Sequence, residues 1–317
     1  MNSAAARTTD TTSGILLVDK PEGFTSHDVV ARTRRLAGTR KVGHAGTLDP
    51  MATGLLVLGL NSSTRLLTYL VGLDKEYIAT IRLGESTASD DREGDTVEVA
   101  PPGTVRGIDP ARIAEGIASL SGVIEQVPSS VSAIKVDGKR AYALVRAGET
   151  VELASRTVTV SAFELLGSDE VAIDGPDGLT RDYLDLRVRI ECSSGTYIRA
   201  LARDLGAALG VGGHLTALRR SRVGPFSVMD AAPLDTLDPR ATLLAPAAVA
   251  ATLFPTVTLA PEQVVDLTNG KRVALPDAAD GEPIAALAPD GRLVGLIRVS
   301  SGTAKSIINF PTDEVLA

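Results

Sequence analysis

The sequence has very little cysteine, histidine and aromatic character. Its single cysteine, Cys192, excludes an internal disulfide and a cysteine-built zinc site. The three histidines, His27, His44 and His214, are far apart in the chain without ligand spacing, so we expect no metal. Aromatic residues make up 3% of the chain, so any tyrosine used for stacking is one of very few.

Long apolar segments are also missing. No run approaches the roughly 20 residues needed to cross a bilayer. The first thirteen residues are small and polar and lack the apolar centre of a signal peptide. We therefore expect a cytoplasmic protein that does not associate with a membrane, with residues 1–13 forming a disordered tail.

Several familiar catalytic and nucleotide-binding motifs are absent as well. The sequence contains no GxxxxGK[ST], no GxGxxG that opens a helix after a strand, and no GxSxG. These absences argue against a phosphate-binding loop, a dinucleotide fold and a serine nucleophile on a sharp turn.

Positive charge is clustered although the net charge is −7. Binding to a polyanion depends on local clusters rather than on the total. A run of cations is commonly a solvated helix face, but the first cluster here leads into a glycine-rich loop, which favours a phosphate-facing surface. The first cluster is Arg32, Arg34, Arg35, Arg40 and Lys41; the second is Arg199, Arg203, Arg219, Arg220 and Arg222.

The order of predicted elements indicates an α+β fold with a mixed, largely antiparallel sheet. A length of 317 residues suits one large domain and one small one. We expect a charged surface loop at 89–95 and a linker at 240–256. The predicted strands lie at 14–18, 54–60, 75–83, 183–192, 284–288 and 293–299, and the main predicted helices at 25–36, 61–70, 109–122 and 197–209.

The segment GHAGTLDPMATG, residues 43–54, places one carboxylate, Asp49, among glycines and threonines. Asp-Pro is common at turns and helix starts, so a purely structural role is one interpretation. The other is a covalent nucleophile, which a carboxylate becomes when it is held ionised in a partly dry pocket beside a cation.

This segment resembles the catalytic motif of the TruB-type tRNA pseudouridine synthases. Further matching blocks occur in family order between about residues 14 and 235. They are Asp19–Ser26, Lys75–Tyr77, Val127–Lys135, Ser194–Arg199 and His214–Arg220.

The resemblance implies a synthase-type catalytic domain at 14–245, a PUA-like RNA-binding domain at 255–317, and isomerisation of uridine 55 in the T-loop of tRNA. It implies that Asp49 is the nucleophile, that Tyr77 stacks on the target uracil, and that Arg199 pairs with Asp49. Leu218 would line the uracil pocket, and His44 would occupy the space left by the flipped base. Core packing is the alternative for Tyr77 and Leu218, and an exposed helix cation is the alternative for Arg199.

The expected substrate-binding set also includes Lys20, Gly43, Thr47 and Tyr197, although Lys20 could equally be a solvated turn lysine. The cations expected along the RNA backbone are Arg34, Arg35, Arg40, Lys41, Arg219 and Arg220. Residues 255–317 carry more acids than bases, which argues against strong phosphate binding there.

The isomerisation conserves atoms and exchanges no electrons, so the resemblance implies neither a cofactor nor a metal. The expected partner is the T-arm stem-loop of tRNA, bound with the target base flipped out of its stack. We expect a monomer without an obligate protein partner. Two alternatives are a tRNA-folding chaperone that binds RNA and a guide-dependent synthase with another RNA target. A carboxylate phosphatase is disfavoured because Met51 stands where a second aspartate is expected.

Overall fold

The computed structural model describes residues 12–129, 135–136, 139–140, 154–175 and 178–311. Most of the predicted tail at 1–13 lies outside these residues, and so do residues 130–134 of the Val127–Lys135 block. Within the described part, Asn61 Nδ2 donates to the carbonyl of Thr12 at 2.6 Å, and Ser62 Oγ lies 3.0 Å from Ser13 Oγ. Ser13 is fully buried.

Helices and strands alternate irregularly along the described chain. The α-helices are α1 Ser26–Leu36, α2 Leu67–Val71, α3 Pro110–Ser119, α4 Ile198–Leu209, α5 Pro239–Thr242, α6 Pro246–Leu253 and α7 Pro261–Thr268, and the 3₁₀ helices are Asn61–Leu66 and Val228–Asp230. The strands are β1 Gly14–Lys20, β2 Val42–His44, β3 Thr53–Leu60, β4 Lys75–Leu83, β5 Glu85–Thr87, β6 Thr96–Val99, β7 Gly122–Gln126, β8 Lys135–Val136, β9 Lys139–Arg140, β10 Arg156–Asp174, β11 Thr180–Cys192, β12 Gly213–Val223, β13 Phe226–Ser227, β14 Ala232–Pro233, β15 Thr256–Thr258, β16 Val273–Ala274, β17 Gly281–Leu287, β18 Leu293–Ser300 and β19 Thr303–Asn309.

The chain divides into two compact units. Within the described residues, the first unit comprises the chain up to Pro50, Gly54–Val71, and the chain from Pro225 onward. The second comprises Met51–Thr53 and Gly72–Gly224.

In the second unit, five strands pair in the order β12-β4-β11-β10-β7, each antiparallel to its neighbour. Strand β4 alternates buried and partly exposed residues along its whole length, which gives one face to the core. Helix α4 packs against β12 and β4, and its buried face includes Leu201 and Leu205. The glycine at its C-cap, Gly210, has the left-handed φ of 76° that ends such helices without strain.

In the first unit, β3 pairs antiparallel with β1 and β2, and β14 pairs parallel with β1. Helix α1 buries Val29 and Val30 against apolar residues of β1 and β3, including Leu16 and Leu58. Thr25 and Asp28 form a reciprocal capping box at the start of α1, which fixes where the helix begins.

The C-terminal part of the first unit has a sheet and an apolar core of its own. Its strand order is β15-β17-β18-β19-β16, with β15 parallel to β17 and the other pairs antiparallel. The core includes Leu267 of α7 and Val294 and Ile297 of β18. The predicted α+β class, its largely antiparallel pairing and its β-rich C-terminal region are confirmed; the exact domain boundaries remain predictions.

Two sequence predictions about irregular segments need correction. The segment 89–95 is a loop that is exposed only in its second half, because Ser89, Asp90 and Asp91 are buried. The segment 240–256 is not an extended linker, because it contains most of α5 and all of α6. Its alanines are strong helix formers, and proline stands at the first turn of each helix, where its missing N–H costs nothing.

Among the described residues, no helix has both the length and the apolar character that a membrane crossing requires.

Candidate active site

Asp49 lies in the short irregular stretch between β2 and β3. Its side chain is partly exposed, whereas Leu48 before it is buried. The chain turns at Gly46, whose φ of 90° is readily adopted only by glycine. Sequence and local structure thus agree that a bend presents the carboxylate at the surface of the first unit.

The first residue of α1 holds this loop in place. Ser26 Oγ donates to the carbonyl of Leu48 at 3.1 Å and accepts from its N–H at 2.9 Å. Ser26 is 1% exposed, so water does not compete for these two bonds. The residue before Asp49 is therefore fixed by both of its backbone groups.

The residue after Asp49 is held by the turn that follows β1. Gly23 N–H donates to the carbonyl of Pro50 at 2.9 Å. Lys20, which is fully buried, donates from Nζ to the carbonyls of Pro21, Phe24 and Pro50 at 3.0, 2.6 and 3.2 Å. Three carbonyls match the three donors of an ammonium group. Lys20 thus ties the turn to the Asp49 loop, and it is not the solvated lysine considered from sequence.

Two histidines that are distant in sequence meet beside this loop. The rings of His27 and His44 lie edge to face, with centroids 5.8 Å apart and an interplanar angle of 79°. Histidine spacing along the chain did not predict this contact. Within the described residues, no group of three or more histidine, cysteine, aspartate or glutamate side chains is arranged to hold a metal ion.

The other predicted residues around His44 differ in their surroundings. A Cβ atom added at Gly43 would lie 2.9 Å from Leu67 Cδ1, so close packing against α2 explains a glycine there. Thr47 is exposed. Both remain predicted substrate contacts.

Tyr77 and Leu218 lie on adjacent strands of the second unit. Tyr77 pairs with Arg220 across β4 and β12, and Leu218 pairs with Ala79. Tyr77 and Leu218 are each 7% exposed, and Arg220 is 1% exposed. The sheet register therefore places the predicted stacking tyrosine and pocket leucine on one buried face.

Arg199 lies in the first turn of α4 and is held by a buried carboxylate. Its Nη1 donates to the carbonyl of Ser89 at 3.0 Å and lies 3.2 Å from Asp91 Oδ2, in an ion pair whose side chains are 8% and 4% exposed. Asp91 Oδ1 in turn accepts from Ser89 Oγ at 2.5 Å and from Glu93 N–H at 3.0 Å. The predicted pairing of Arg199 with Asp49 stays a prediction.

A second arginine of α4 extends this network. Arg203 Nη1 lies 3.3 Å from Asp90 Oδ2, and its Nη2 donates to the carbonyl of Val127 at 2.8 Å. Burial raises the pKa of the Asp90 carboxyl, and the charge of Arg203 opposes that shift. The sequence did not indicate a role for Asp90 or Asp91, because a run of charged residues is typical of a surface loop.

Tyr197, the N-cap residue of α4, is held by a fully buried glutamine. Tyr197 N–H donates to Gln126 Oε1 at 2.7 Å, and Gln126 Nε2 donates to the carbonyl of Tyr197 at 3.0 Å. The guanidinium of Arg156 lies over the Tyr197 ring, 5.4 Å from its centroid. Gln126 directly precedes the Val127–Lys135 block, but nothing in the sequence connects it with Tyr197.

The cations predicted to follow the RNA backbone fall into two groups. Arg34, Arg35, Arg40 and Lys41 are all exposed, and Arg34 Nη2 donates to the carbonyl of Val42 at 3.0 Å. Arg219 is partly exposed and donates to Thr53 Oγ1 at 3.4 Å. Arg220 is buried, which argues against a contact between its guanidinium and a surface phosphate.

Family profiles match almost the whole chain. A profile described as "TruB family pseudouridylate synthase (N terminal domain)" matches residues 34–198. Profiles described as "tRNA pseudouridylate synthase B C-terminal domain" and "tRNA Pseudouridine synthase II, C terminal" match residues 199–253 and 254–311.

Individual proteins match over nearly their full length. The "tRNA pseudouridine synthase B" of Leifsonia xyli subsp. xyli is 60% identical, over 96% of this chain and 98% of the relative. The protein of the same name from Thermobifida fusca is 53% identical, over 94% and 98%. Among solved structures, an H/ACA RNP bound to a substrate RNA containing 2′-deoxyuridine aligns with a TM-score of 0.65 and 25% identity, covering 95% of this chain and 86% of that one.

Proposed function

Because this chain belongs to the TruB family of pseudouridylate synthases, we propose that it converts uridine 55 in the T-loop of tRNA to pseudouridine. Its high identity to proteins named tRNA pseudouridine synthase B supports tRNA as the substrate. The H/ACA assembly is much less similar in sequence, which places a guide-dependent activity second.

The reaction breaks the bond between N1 and C1′, turns the uracil, and joins C5 to C1′. N1 gains a proton and C5 loses one, so atoms and electrons balance without a co-reactant. The enzyme must therefore supply a group that starts the cleavage, a surface that holds the detached base, and charge that keeps the reactive group ionised.

We assign the first of these roles to Asp49. The observation that carries this assignment is its fixed loop: Leu48 and Pro50 on either side of Asp49 are both hydrogen-bonded to the segment from Lys20 to Ser26. A carboxylate on a rigid, partly exposed bend can meet a flipped nucleotide without reorganising the chain.

The second and third roles fall to residues of the second unit. Tyr77 would stack on the uracil and Leu218 would line the pocket, consistent with their shared buried face. Arg199, held by Asp91, would keep Asp49 ionised. His44 would fill the space that the flipped base leaves, at an unstacking cost of about a few kcal/mol that protein contacts must offset. We further propose that the enzyme acts as a cytoplasmic monomer without a protein partner.

The decisive experiment is incubation with an unmodified tRNA transcript, followed by mapping of pseudouridine at single-nucleotide resolution. We expect modification at position 55 alone, and the same result with an isolated T-arm stem-loop. Product at another position, or a requirement for a guide RNA, would contradict the assignment.

Asp49→Asn tests the nucleophile. The amide keeps the size of the side chain but cannot attack, so product formation should fall by more than about a thousandfold while RNA affinity changes little. A variant of near-normal activity would exclude Asp49 from this role.

The same variant separates catalysis from a chaperone function. If the Asp49→Asn protein still accelerates the folding of a misfolded tRNA, binding alone supports that activity. Loss of folding assistance together with catalysis would exclude an independent chaperone role.

A further inference from the structure

The surface of the first unit contains an open hollow that none of the roles assigned under the proposed function uses, although one of its lining residues, Arg35, is a predicted contact of the RNA backbone. It lies between the turn after β1 and the exposed side of α1, and has a volume of about 300 Å³. This volume is at the lower end of the range for small-ligand sites. The lining residues are Gly23, Phe24, Asp28, Ala31, Arg32 and Arg35.

The charge in the hollow is set by one face of α1. Asp28, Arg32 and Arg35 are four and three residues apart, so they project from the same side of the helix. Asp28 is occupied in the capping box, where its Oδ2 accepts from the N–H and the hydroxyl of Thr25 at 2.9 and 2.6 Å. Two guanidinium groups against one carboxylate leave the hollow with a net positive charge.

The two arginines differ in how they are held. Arg32 Nη2 donates to the carbonyl of Asp235 at 3.2 Å, which orients its guanidinium at the rim. Arg35 is exposed, and among the described residues it makes no hydrogen bond or ion pair. Its donors therefore face solvent in a geometry suited to a phosphate group.

Phe24 supplies an aromatic surface beside these charges. It is one of five phenylalanines in the chain and is only partly buried, with part of its side chain packed on the core below α1. An aromatic ring next to guanidinium groups is the combination that binds unpaired nucleotides, since bases stack on rings and phosphates pair with arginine.

The turn that lines the hollow is also hydrogen-bonded to the Asp49 loop. Gly23 N–H bonds the carbonyl of Pro50, and the carbonyl of Phe24 accepts from Lys20, which also bonds Pro50. The hollow and the Asp49 loop are thus parts of one hydrogen-bonded structure.

We propose that this hollow binds one unpaired nucleotide of the RNA substrate, with its base on the ring of Phe24 and its phosphate on the guanidinium groups of Arg32 and Arg35. The choice of RNA as ligand rests on the proposed function; the site itself rests on the hollow. Its role is to hold the strand next to the nucleotide that enters the Asp49 loop.

The test measures the dissociation constant for an unmodified T-arm stem-loop, in the Asp49→Asn background so that turnover does not interfere. Phe24→Leu keeps apolar packing but removes the ring, and Arg35→Gln removes an exposed charge. Each should weaken binding by roughly 5- to 100-fold, the range expected for losing one stacked base or one phosphate contact. Phe24→Tyr keeps the ring and should bind within about twofold of the parent.

Arg112→Gln is the control, because Arg112 is an exposed arginine of helix α3 that neither lines the hollow nor has a predicted contact with RNA. It should weaken binding far less than Arg35→Gln. Equal losses for Arg112→Gln and Arg35→Gln would mean that Arg35 acts only through the overall charge of the protein, and this would overturn the proposal. If Phe24→Leu lowers the thermal midpoint, the pair of arginine variants alone decides the question.

The proposal and the proposed function can fail separately. A wild-type protein that modifies the transcript, together with hollow variants that bind normally, would exclude the hollow and leave the function intact. A wild-type protein that modifies nothing, yet binds RNA in a manner that depends on Phe24 and Arg35, would exclude the function and retain the hollow.

Discussion

Arg199 and Asp91 form an ion pair that water scarcely reaches. Removing one partner of such a pair leaves an uncompensated buried charge, at a cost of roughly 3–5 kcal/mol. The benefit of the pair is orientation, because Ser89 and Asp91 together fix where the guanidinium lies. A cation that must stand beside a reactive carboxylate requires this kind of fixed position.

Asp91→Asn should therefore impair catalysis more than binding. The amide can still accept from Ser89 Oγ but no longer balances the charge of Arg199. We expect the single-turnover rate of pseudouridine formation to fall by roughly 10- to 1,000-fold with little change in RNA affinity.

Asp185→Asn is a matched control at another arginine–aspartate pair. Arg82 Nε and Nη2 bond the two oxygens of Asp185 at 2.8 and 2.7 Å, and neither residue has a proposed role in the reaction. This variant should lower the thermal midpoint and leave the turnover rate near normal. A similar loss of rate in both variants would mean that Asp91 matters only for stability.

The candidate residues could be predicted from sequence only where a short motif carries them. Asp49, Tyr77 and Arg199 each stand in a block of specific spacing. Asp91 does not, because its importance comes from burial beside Arg199, 108 positions away in the chain. Its neighbours Asp90, Arg92 and Glu93 give it the pattern of a solvated loop.

Strand β4 contains a buried cation, Lys75, whose side chain lies on the same face of the strand as that of Tyr77. Lys75 is 6% exposed, and it pairs with Cys192 on β11 and Val223 on β12. Burial, together with the nearby charge of Arg220, lowers the pKa of Lys75 from 10.5 to about 8. The charged form is therefore disfavoured in the folded protein.

Lys75→Met should stabilise the protein in a manner that depends on pH. Below pH 8 the ammonium is charged in both the folded and the unfolded state, so folding bears the full free-energy cost of burying the charge. Between pH 8 and 10.5 the unfolded state binds more protons than the folded state. The cost of burying the charge therefore declines as pH rises. We expect a gain of roughly 1–3 kcal/mol at pH 7 that shrinks towards pH 10, measured by urea unfolding. A loss of stability at every pH would show that Lys75 is net favourable.

Gln126 links β7 to the start of α4. Its amide bonds both backbone groups of Tyr197, two residues before Arg199, and the Tyr197 side chain itself makes no capping hydrogen bond. Gln126→Leu should therefore displace the first turn of α4 and lower the turnover rate by about tenfold or more, with KM for tRNA nearly unchanged. Steady-state kinetics on a transcript separate the two parameters.

The C-terminal module, residues 255–311, contains a glutamine with the same kind of contacts, which serves as a control. Gln263 Oε1 accepts from Ala260 N–H and its Nε2 donates to the carbonyl of Ala274, both at 2.8 Å, at the start of α7. Gln263→Leu should disturb that helix and leave the turnover rate unchanged. Equal effects of the two variants on turnover would contradict a positioning role for Gln126.

At the scale of elements, helices with clear boundary signals were predicted well. α1 begins after its Thr25 cap and α4 ends at Gly210, as the sequence indicates. The segment 240–256 was misread because its prolines suggested a linker, whereas tertiary packing of α6 against β1 and β17 makes it helical. The strand order of the sheets could not be predicted, since register depends on contacts between distant segments.

The whole chain has a net negative charge, but the two clusters of cations differ in how many acidic side chains lie beside them. In the second cluster, Arg203 lies beside Asp90 and Asp204, and Arg222 lies 3.5 Å from Glu191. In the first cluster, Arg40 and Lys41 are exposed and make no side-chain hydrogen bond or ion pair within the described residues. A polyanion should therefore be attracted to the segment around α1 rather than to the molecule as a whole.

Salt dependence of RNA binding tests this distribution of charge. Each phosphate contact contributes about 0.7–0.9 to the slope of log affinity against log salt concentration. Replacing Arg40 and Lys41 by glutamine should reduce the slope for a tRNA transcript by about 1.4–1.8. The matched double variant replaces Arg272 and Lys305, an exposed arginine and lysine of the C-terminal module, where acids outnumber bases. We expect its slope to equal that of the parent protein, and a larger reduction there than at Arg40 and Lys41 would assign the main phosphate contacts to the C-terminal module.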